Sequence, residues 1–381
     1  MDKKIQRIRH NKLKGKVLVG LSGGVDSAVS ALLLKQQGYE VIAAFMINFS
    51  ETKNKLTGEC SYIEDKKDAQ RIASILNIPL KILNFEKPYN KYVIKPMFKS
   101  YGEGLTPNPD SLCNKIIKFP LLWKEAKKMK CDFIATGHYI KKTKKRNYYS
   151  LNIPKDKHKD QSYFLYTLTQ EDLSHTLFPL SDLTKEEVRN IALKNKFPNY
   201  NKKSSKGICF VGKINMKSFL KQKLKQKFGK IKDTKGKVVG THNGMQYYTI
   251  GERIREDEGI TINKEFRNEV KKKIYIADKN IKKNELIVAP EGSPELKKQN
   301  FQIINSQFIT PISKNKFPLD CKIRIRHQGD LIPSKIIKLK NKLFCQLRNP
   351  IQGIAEGQSA VIYKNSRILG GGEIKNPRLR A

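Results

Sequence analysis

The stretch KVLVGLSGGVDSAVSALLLKQQGYEVIAAFMIN, residues 16–48, restricts the fold more than any other part of the chain. KVLVGL is a short, continuous apolar run, the pattern of a strand covered on both faces. SGGVDS breaks the run with two adjacent glycines, and AVSALLLKQQ follows with helical periodicity. Gly38 stands at the helix end, and EVIAAFMI is a second buried strand. The unit is β-α-β, with a glycine-bearing loop at the carboxyl end of its first strand. Open α/β sheets bind their ligands at that end.

The loop is neither GxxxxGK[ST] nor GxGxxG, and it has no lysine to reach a β/γ-phosphate. Gly23 and Gly24 let the backbone approach an anion, and Ser22 and Ser27 offer hydroxyls. With the amides at the start of the helix they make an anion nest running through Gly20, Leu21, Ser22, Gly23, Gly24, Val25, Asp26 and Ser27. Asp26 is out of place beside bare anion binding and makes sense if Mg2+ arrives with the phosphates. No metal site made by the protein alone is expected. The competing reading is a tight strand-to-helix turn with ordinary Ser/Asp capping, which the six-residue word SGGVDS disfavours.

At 381 residues the chain is long enough for two or three domains. No apolar run approaches membrane-spanning length, and the basic start MDKKIQRIRHNKLKGK lacks the apolar stretch of a secretory signal. A cytoplasmic protein with no membrane partner is expected. The net charge of +41 attracts polyanions, nucleic acid above all. Part of that excess follows a lysine-, asparagine- and isoleucine-rich composition spread along the whole chain, so charge alone makes RNA binding plausible and no more. The six cysteines form no CxxC, and no histidine stands at zinc-finger spacing from them. Lone thiols in a reducing compartment are mostly buried small hydrophobes, which is the expectation for Cys60, Cys131, Cys321 and Cys345.

Cys113 and Cys209 stand apart from that default. In TPNPDSLCNK, residues 106–115, two prolines stiffen the approach to a helix. Asp110 is a good N-cap, which makes Cys113 the third helical residue, in a first turn that favours the thiolate. Asp110 can also handle a proton there, although its charge opposes the thiolate. A capped helix carrying a packed cysteine explains the same residues, and the local sequence does not separate the two readings. Cys209, in KKSSKGICFVG, lies with Ile208 and Phe210 in a small apolar strand after a basic, serine-rich stretch. Burial is its default too.

Taken in order, SGGVDS, TPNPDSLCN-K-IKF, ATGHY, KDQSYFLY, S-KGICF, HNGMQYYTIGER and GGGEI resemble the tRNA-specific 2-thiouridylases, which are PP-loop ATP pyrophosphatases. The likeness runs from about residue 16 to about residue 374. It implies ATP as the nucleotide, with Met46 and Gly137 at its nucleoside end, and the wobble uridine of tRNA as substrate. Uridine O2 would attack the α-phosphate, leaving an adenylylated C2. Asn108, Pro109 and Asp110 would read the flipped base, with Asp110 as acid/base. Cys209 would carry sulfur as a persulfide, and Cys113 would be the nucleophile that releases it, leaving a transient Cys113–Cys209 disulfide. Such a bridge needs the two α-carbons within about 7 Å, hence a segment 202–212 that moves when tRNA binds. Implied partners are tRNAs for Lys, Glu and Gln and a sulfur donor, either a persulfide-relay protein or a cysteine desulfurase.

The resemblance also assigns tRNA contacts to His138, Lys159, Asp160, Gln161, Arg324, Ile325 and Gln358. CKIRIRHQ alternates basic and apolar residues, so one face of that strand would meet phosphates. Ile325 replaces the family's usual aromatic, Leu105 replaces a basic residue before TPNPD, and IREDEGI replaces a glycine-rich stretch. The organisation expected is a PP-loop catalytic domain over 1–205, a small mixed domain over 206–276 and a tRNA-contacting β-barrel over 281–381, with ELIVAP among the barrel strands. Thr184 and Glu187 predict a capping box. Two rivals remain: another PP-loop ligase, such as one that amidates an adenylylated carbonyl, and a nonenzymatic RNA binder with a decayed nucleotide site.

Overall fold

In the computed structural model, which describes residues 14–50, 62–203, 215–256, 259–313, 316–340 and 342–376, the β-α-β unit forms as its sequence predicts. β1 (Lys16–Gly20) pairs in parallel with β2 (Glu40–Ile47), and α1 (Val25–Gln36) joins them. The chain continues through α2 (Tyr62–Ile75), β3 (Leu80–Asn84), α3 (Glu86–Tyr89) and α4 (Lys95–Gly102). It then forms α5 (Pro109–Cys113), α6 (Phe119–Lys128), β4 (Phe133–Ala135) and the hairpin β5 (Lys141–Lys145) and β6 (Tyr148–Asn152). α7 (Gln170–Ser174), β7 (Thr176–Leu177) and α8 (Lys185–Lys194) complete this part. The parallel sheet has the order β3-β2-β1-β4-β7, so the chain reverses direction across the sheet between β1 and β4.

Two helical runs carry a π turn just ahead of a proline: Asn90–Ile94 before Pro96, and Asn114–Lys118 before Pro120. Proline donates no bond to the preceding turn and crowds its carbonyl. Widening that turn lets the chain stay helical. α5 and α6 are thereby one continuous run, and Leu122 of α6 lies against Gly20 at the end of β1. α8 starts with the predicted capping box: the Thr184 hydroxyl accepts from the Glu187 amide at 3.2 Å, and the Thr184 amide donates to the Glu187 carboxylate at 2.6 Å.

The middle part comprises α9 (Met216–Lys221), β8 (Gly229–Lys232), β9 (Val238–His242), β10 (Ile260–Ile262), α10 (Lys264–Val270), β11 (Ile274–Asn280) and β12 (Glu285–Pro290), with sheet order β10-β9-β8-β12-β11. ELIVAP is β12 and belongs to this sheet, not to the C-terminal strands among which its alternation placed it. The short turn after β11 folds it back antiparallel, and β8 captures its other edge in parallel. α9 anchors the middle part to the first, its Phe219 ring 5.2 Å from Phe98 and 6.1 Å from Phe49.

β13 (Lys297–Phe308), β14 (Leu319–Arg324), β15 (Ile332–Leu339), β16 (Lys342–Gln352), β17 (Ser359–Lys364) and β18 (Arg367–Lys375) form the predicted barrel, closed by β13 pairing with both β16 and β18. β6 adds to the free stretch of β18 through Arg367↔Asn152 and Ile368↔Leu151, so the hairpin of the first part extends the barrel sheet. Among the described residues no helix is long and apolar enough to cross a membrane.

Candidate active site

The reversal between β1 and β4 opens a crevice between the loops that leave their carboxyl ends. Gly23 adopts φ +75°, and a Cβ there would lie 2.2 Å from the Asp65 carbonyl oxygen of α2. Gly137, in the loop after β4, presses on the start of α1: a Cβ would be 2.8 Å from the Ser27 nitrogen. Gly20 faces Met46, whose methyl would lie 3.3 Å from an added Cβ. The predicted nucleotide residues Gly20 to Ser27, Met46 and Gly137 therefore gather at one place.

α1 starts at Gly24 without a side-chain cap. The two serines bond to each other, Ser22 N donating to Ser27 Oγ at 3.1 Å and the hydroxyls lying 3.2 Å apart. Asp26 turns away to accept from Tyr139 OH at 2.8 Å and Lys185 Nζ at 2.6 Å. Ordinary Ser/Asp capping is therefore not what these residues do, and the first-turn amides of a 12-residue helix are left to an external anion. Asn199 Nδ2 donates to the Gly23 carbonyl at 2.9 Å, which pins the loop from behind. The cradle fits a polyphosphate.

Asp26 Oδ1 already serves a lysine and a phenol, and among the described residues no three His, Cys, Asp or Glu side chains converge as metal ligands. Burial first, then the charge of Asp26, pushes the Tyr139 phenol far above its ordinary range and keeps it a donor. Gly137→Ala is expected to weaken ATP binding by about tenfold or more, because the new methyl displaces the first turn that carries the amides. Titration with a nonhydrolysable ATP analogue checks this, and unchanged affinity would place the nucleotide elsewhere.

The helix α5 corrects one expectation. Its cap is Asn108, whose side-chain oxygen accepts from the Ser111 amide at 3.1 Å, and not Asp110. Pro109 is the reason: with φ preset and no amide to satisfy, proline suits the first helical position, so the cap falls one residue earlier. Asp110 is then the second helical residue and Cys113 the fifth, beyond the first turn where the thiolate argument put it. Cys113 is 0% exposed, in the same apolar cluster as Met46, Ile117 and Leu122. Asn108 also donates from Nδ2 to Ser359 Oγ of the barrel at 3.1 Å, and the Thr106 amide donates to the Glu356 carbonyl at 2.8 Å.

Cys209, its expected bridge to Cys113, and Cys60 lie outside the described residues. Lys202, just before that segment, pairs with Asp65 at 2.7 Å and with Asp68 at 2.5 Å, on the helix whose backbone abuts Gly23.

The expected tRNA contacts are mostly buried. His138 is 8% exposed, with Nδ1 2.8 Å from Thr136 Oγ1 and Nε2 3.4 Å from Lys118 Nζ. Burial, then the Lys118 charge, holds it well below its usual pKa, hence neutral. Arg324, expected to face phosphates, is instead buried against Asp160, Nη1 to Oδ2 2.6 Å, with its guanidinium 5.2 Å from the centre of the Tyr363 ring. Ile325 is buried, and Tyr163 OH donates to its carbonyl at 3.1 Å and lies 3.3 Å from Gln358 Oε1. Gln161 accepts from the Tyr139 amide at 2.9 Å. Lys159 is half-buried beside this seam and makes no ion pair among the described residues. The basic residues of CKIRIRHQ do not act as one face: Arg324 turns inward to the first domain, where Asp160 supplies the counter-charge, while Lys322 and Arg326 are exposed. Sequence reasoning missed Tyr139, Lys185 and Asn199, although Tyr139 lies within ATGHY and Lys185 directly follows the cap Thr184.

Residues 15–213 match the family described as tRNA methyl transferase HUP domain, residues 217–290 the tRNA methyl transferase PRC-barrel domain, and residues 298–374 the aminomethyltransferase beta-barrel domain. The chain is 40% identical over 359 residues to the tRNA-specific 2-thiouridylase MnmA 1 of Geobacillus kaustophilus, covering 94% of each chain. It is 40% identical over 367 residues to the tRNA-specific 2-thiouridylase MnmA 2 of Aliarcobacter butzleri, covering 96% of this chain and 99% of that one. The Coxiella burnetii (strain RSA 493) tRNA-specific 2-thiouridylase MnmA is 40% identical over 360 residues, with 94% and 97% covered.

Proposed function

This chain belongs to the tRNA-specific 2-thiouridylase family, and from that premise we propose how its own residues carry out ATP-dependent 2-thiolation of the tRNA wobble uridine. ATP lies with its phosphates on the uncapped start of α1 and its nucleoside toward Met46 and Gly137. Uridine O2 attacks the α-phosphorus. The O2–P bond forms, the bond to the β-phosphate oxygen breaks, pyrophosphate leaves, and C2 carries AMP on oxygen. Asp110, on the second residue of α5, takes the proton that this step releases.

Sulfur arrives as a persulfide on Cys209. Its terminal sulfur bonds to C2, and the Cys113 thiolate attacks the inner sulfur, so the S–S bond of the persulfide breaks as a Cys113–Cys209 disulfide forms. The two thiols together supply the two electrons that take sulfane sulfur to the sulfide level. The C2–O bond then breaks and AMP departs. An external thiol reduces the disulfide, as the cytoplasm provides. Asn108, Pro109 and Asp110 bound the base, while Lys159 meets RNA phosphate. Asp160, Gln161, Arg324 and Gln358 act by holding the seam behind it.

The observation that carries this reading is identity to 2-thiouridylases along almost the whole chain, combined with a thiol helix whose continuation abuts the phosphate loop. Incubation with unmodified tRNAs for Lys, Glu and Gln, ATP and a persulfide donor should yield 2-thiouridine and one AMP per event. ATP turnover without 2-thiouridine would overturn the proposal in favour of another PP-loop ligase.

A further inference from the structure

The phosphate loop carries no lysine or arginine between Gly20 and Ala28, yet a departing pyrophosphate needs positive charge. We propose that Lys185 and Arg189, one turn apart on α8, hold the β- and γ-phosphates of ATP and the pyrophosphate that leaves. This rests on the nucleotide reading above and adds to it a clamp from outside the loop.

Lys185 is the first residue of α8, fixed by the Thr184 capping box and by its own amide donating to Asp156 Oδ2 at 2.8 Å. Its side chain is 11% exposed and lies 2.6 Å from Asp26 Oδ1. Among the described residues that oxygen is its sole acceptor, which leaves two of three ammonium donors for another. Arg189 lies four residues on, along the same helix face. It has no carboxylate within ion-pair distance among the described residues, and its Nε is buried without an acceptor. Burial, opposed by Asp26 and reinforced by the charges of Arg189 and Lys159, brings the Lys185 ammonium below its ordinary pKa, which places these cations close together.

A lysine that merely ties α8 to α1 would account for Lys185. It leaves unexplained a buried guanidinium donor without an acceptor beside a second cation, an arrangement that destabilises the empty protein. An oxyanion between the two satisfies both. As the bond from the α-phosphorus breaks, negative charge grows on the β-phosphate, where these donors sit. Asp26 keeps Lys185 extended toward the crevice until then.

Titration of the full chain with inorganic pyrophosphate, ATP and AMP separately tests the clamp. Lys185→Met and Arg189→Gln should each weaken pyrophosphate and ATP by about tenfold and leave AMP within about twofold, as expected for one lost charged hydrogen bond. Lys185→Arg should retain most of the affinity. Among the described residues Arg189 has no carboxylate partner to lose, so Arg189→Gln should melt no lower than the wild type, which guards against a folding defect in Lys185→Met. Wild-type pyrophosphate affinity in Arg189→Gln, or equal losses for AMP and pyrophosphate, overturns the clamp alone. A wild-type protein that binds none of the three overturns the nucleotide reading and the clamp with it.

Discussion

Cys113→Ser is expected to lower 2-thiouridine formation by on the order of 10³-fold or more while tRNA-dependent pyrophosphate release continues. A serine hydroxyl is not ionised near neutral pH and does not attack a persulfide sulfur, so the step that frees sulfide stops. Adenylylation needs only the phosphate cradle and the placed uridine, neither of which the sulfur builds. The site is fully buried in the apolar cluster around Ile117 and Leu122, so the hydroxyl itself costs about 1–3 kcal/mol if it lacks an acceptor. Cys113→Ala, which introduces no polar atom, controls for that. Quantifying 2-thiouridine and pyrophosphate in the same reaction decides the matter: a serine variant that thiolates at the wild-type rate removes Cys113 from the chemistry.

Asp160→Ala should destabilise the protein by about 3–5 kcal/mol, because it leaves the Arg324 guanidinium buried with its counter-charge gone. Both partners are at least nine-tenths buried, so solvent screens little of the interaction. The same pair joins the first domain to the barrel, and its neighbours Ser162 and Tyr363 add a hydroxyl contact of 2.8 Å across the seam. Loss of the pair should therefore appear as an earlier, separate melting of the barrel as well as a lower overall midpoint. Asp160→Asn combined with Arg324→Met, which removes both charges, should recover most of the loss. Chemical denaturation of the two single variants and the double variant measures the coupling. Single-variant losses under about 1 kcal/mol would mean the pair behaves like a surface contact.

What the sequence revealed depended on how far apart the interacting residues lie. β1 and β2 were legible because strands buried on both faces read as unbroken apolar runs, and Thr184 with Glu187 because a capping box is complete within four residues. The Asn108 cap was also local: proline's preference for the first helical position points to it once Pro109, not Asp110, is taken as the start. Arg324 was different. Its charge was visible, but its partner lies 164 positions away, and alternation along a strand says which residues share a face without saying what that face meets. β12 went to the middle sheet for the same reason, since strand pairing is decided by tertiary neighbours rather than by the strand's own pattern. Lys185 was hidden because its helix brings it to Asp26 across 159 positions of chain, marked only by its place directly after the cap Thr184.

The amide of Asn108 is divided between two domains: its oxygen starts the helix that holds Asp110 and Cys113, and its nitrogen grips Ser359 at the edge of the barrel. A displacement of the barrel by the length of one such bond loosens the helix start, and a reordered helix pulls back on the barrel. Whatever binds so as to tighten the barrel edge through this amide must therefore tighten the start of α5 by the same free energy.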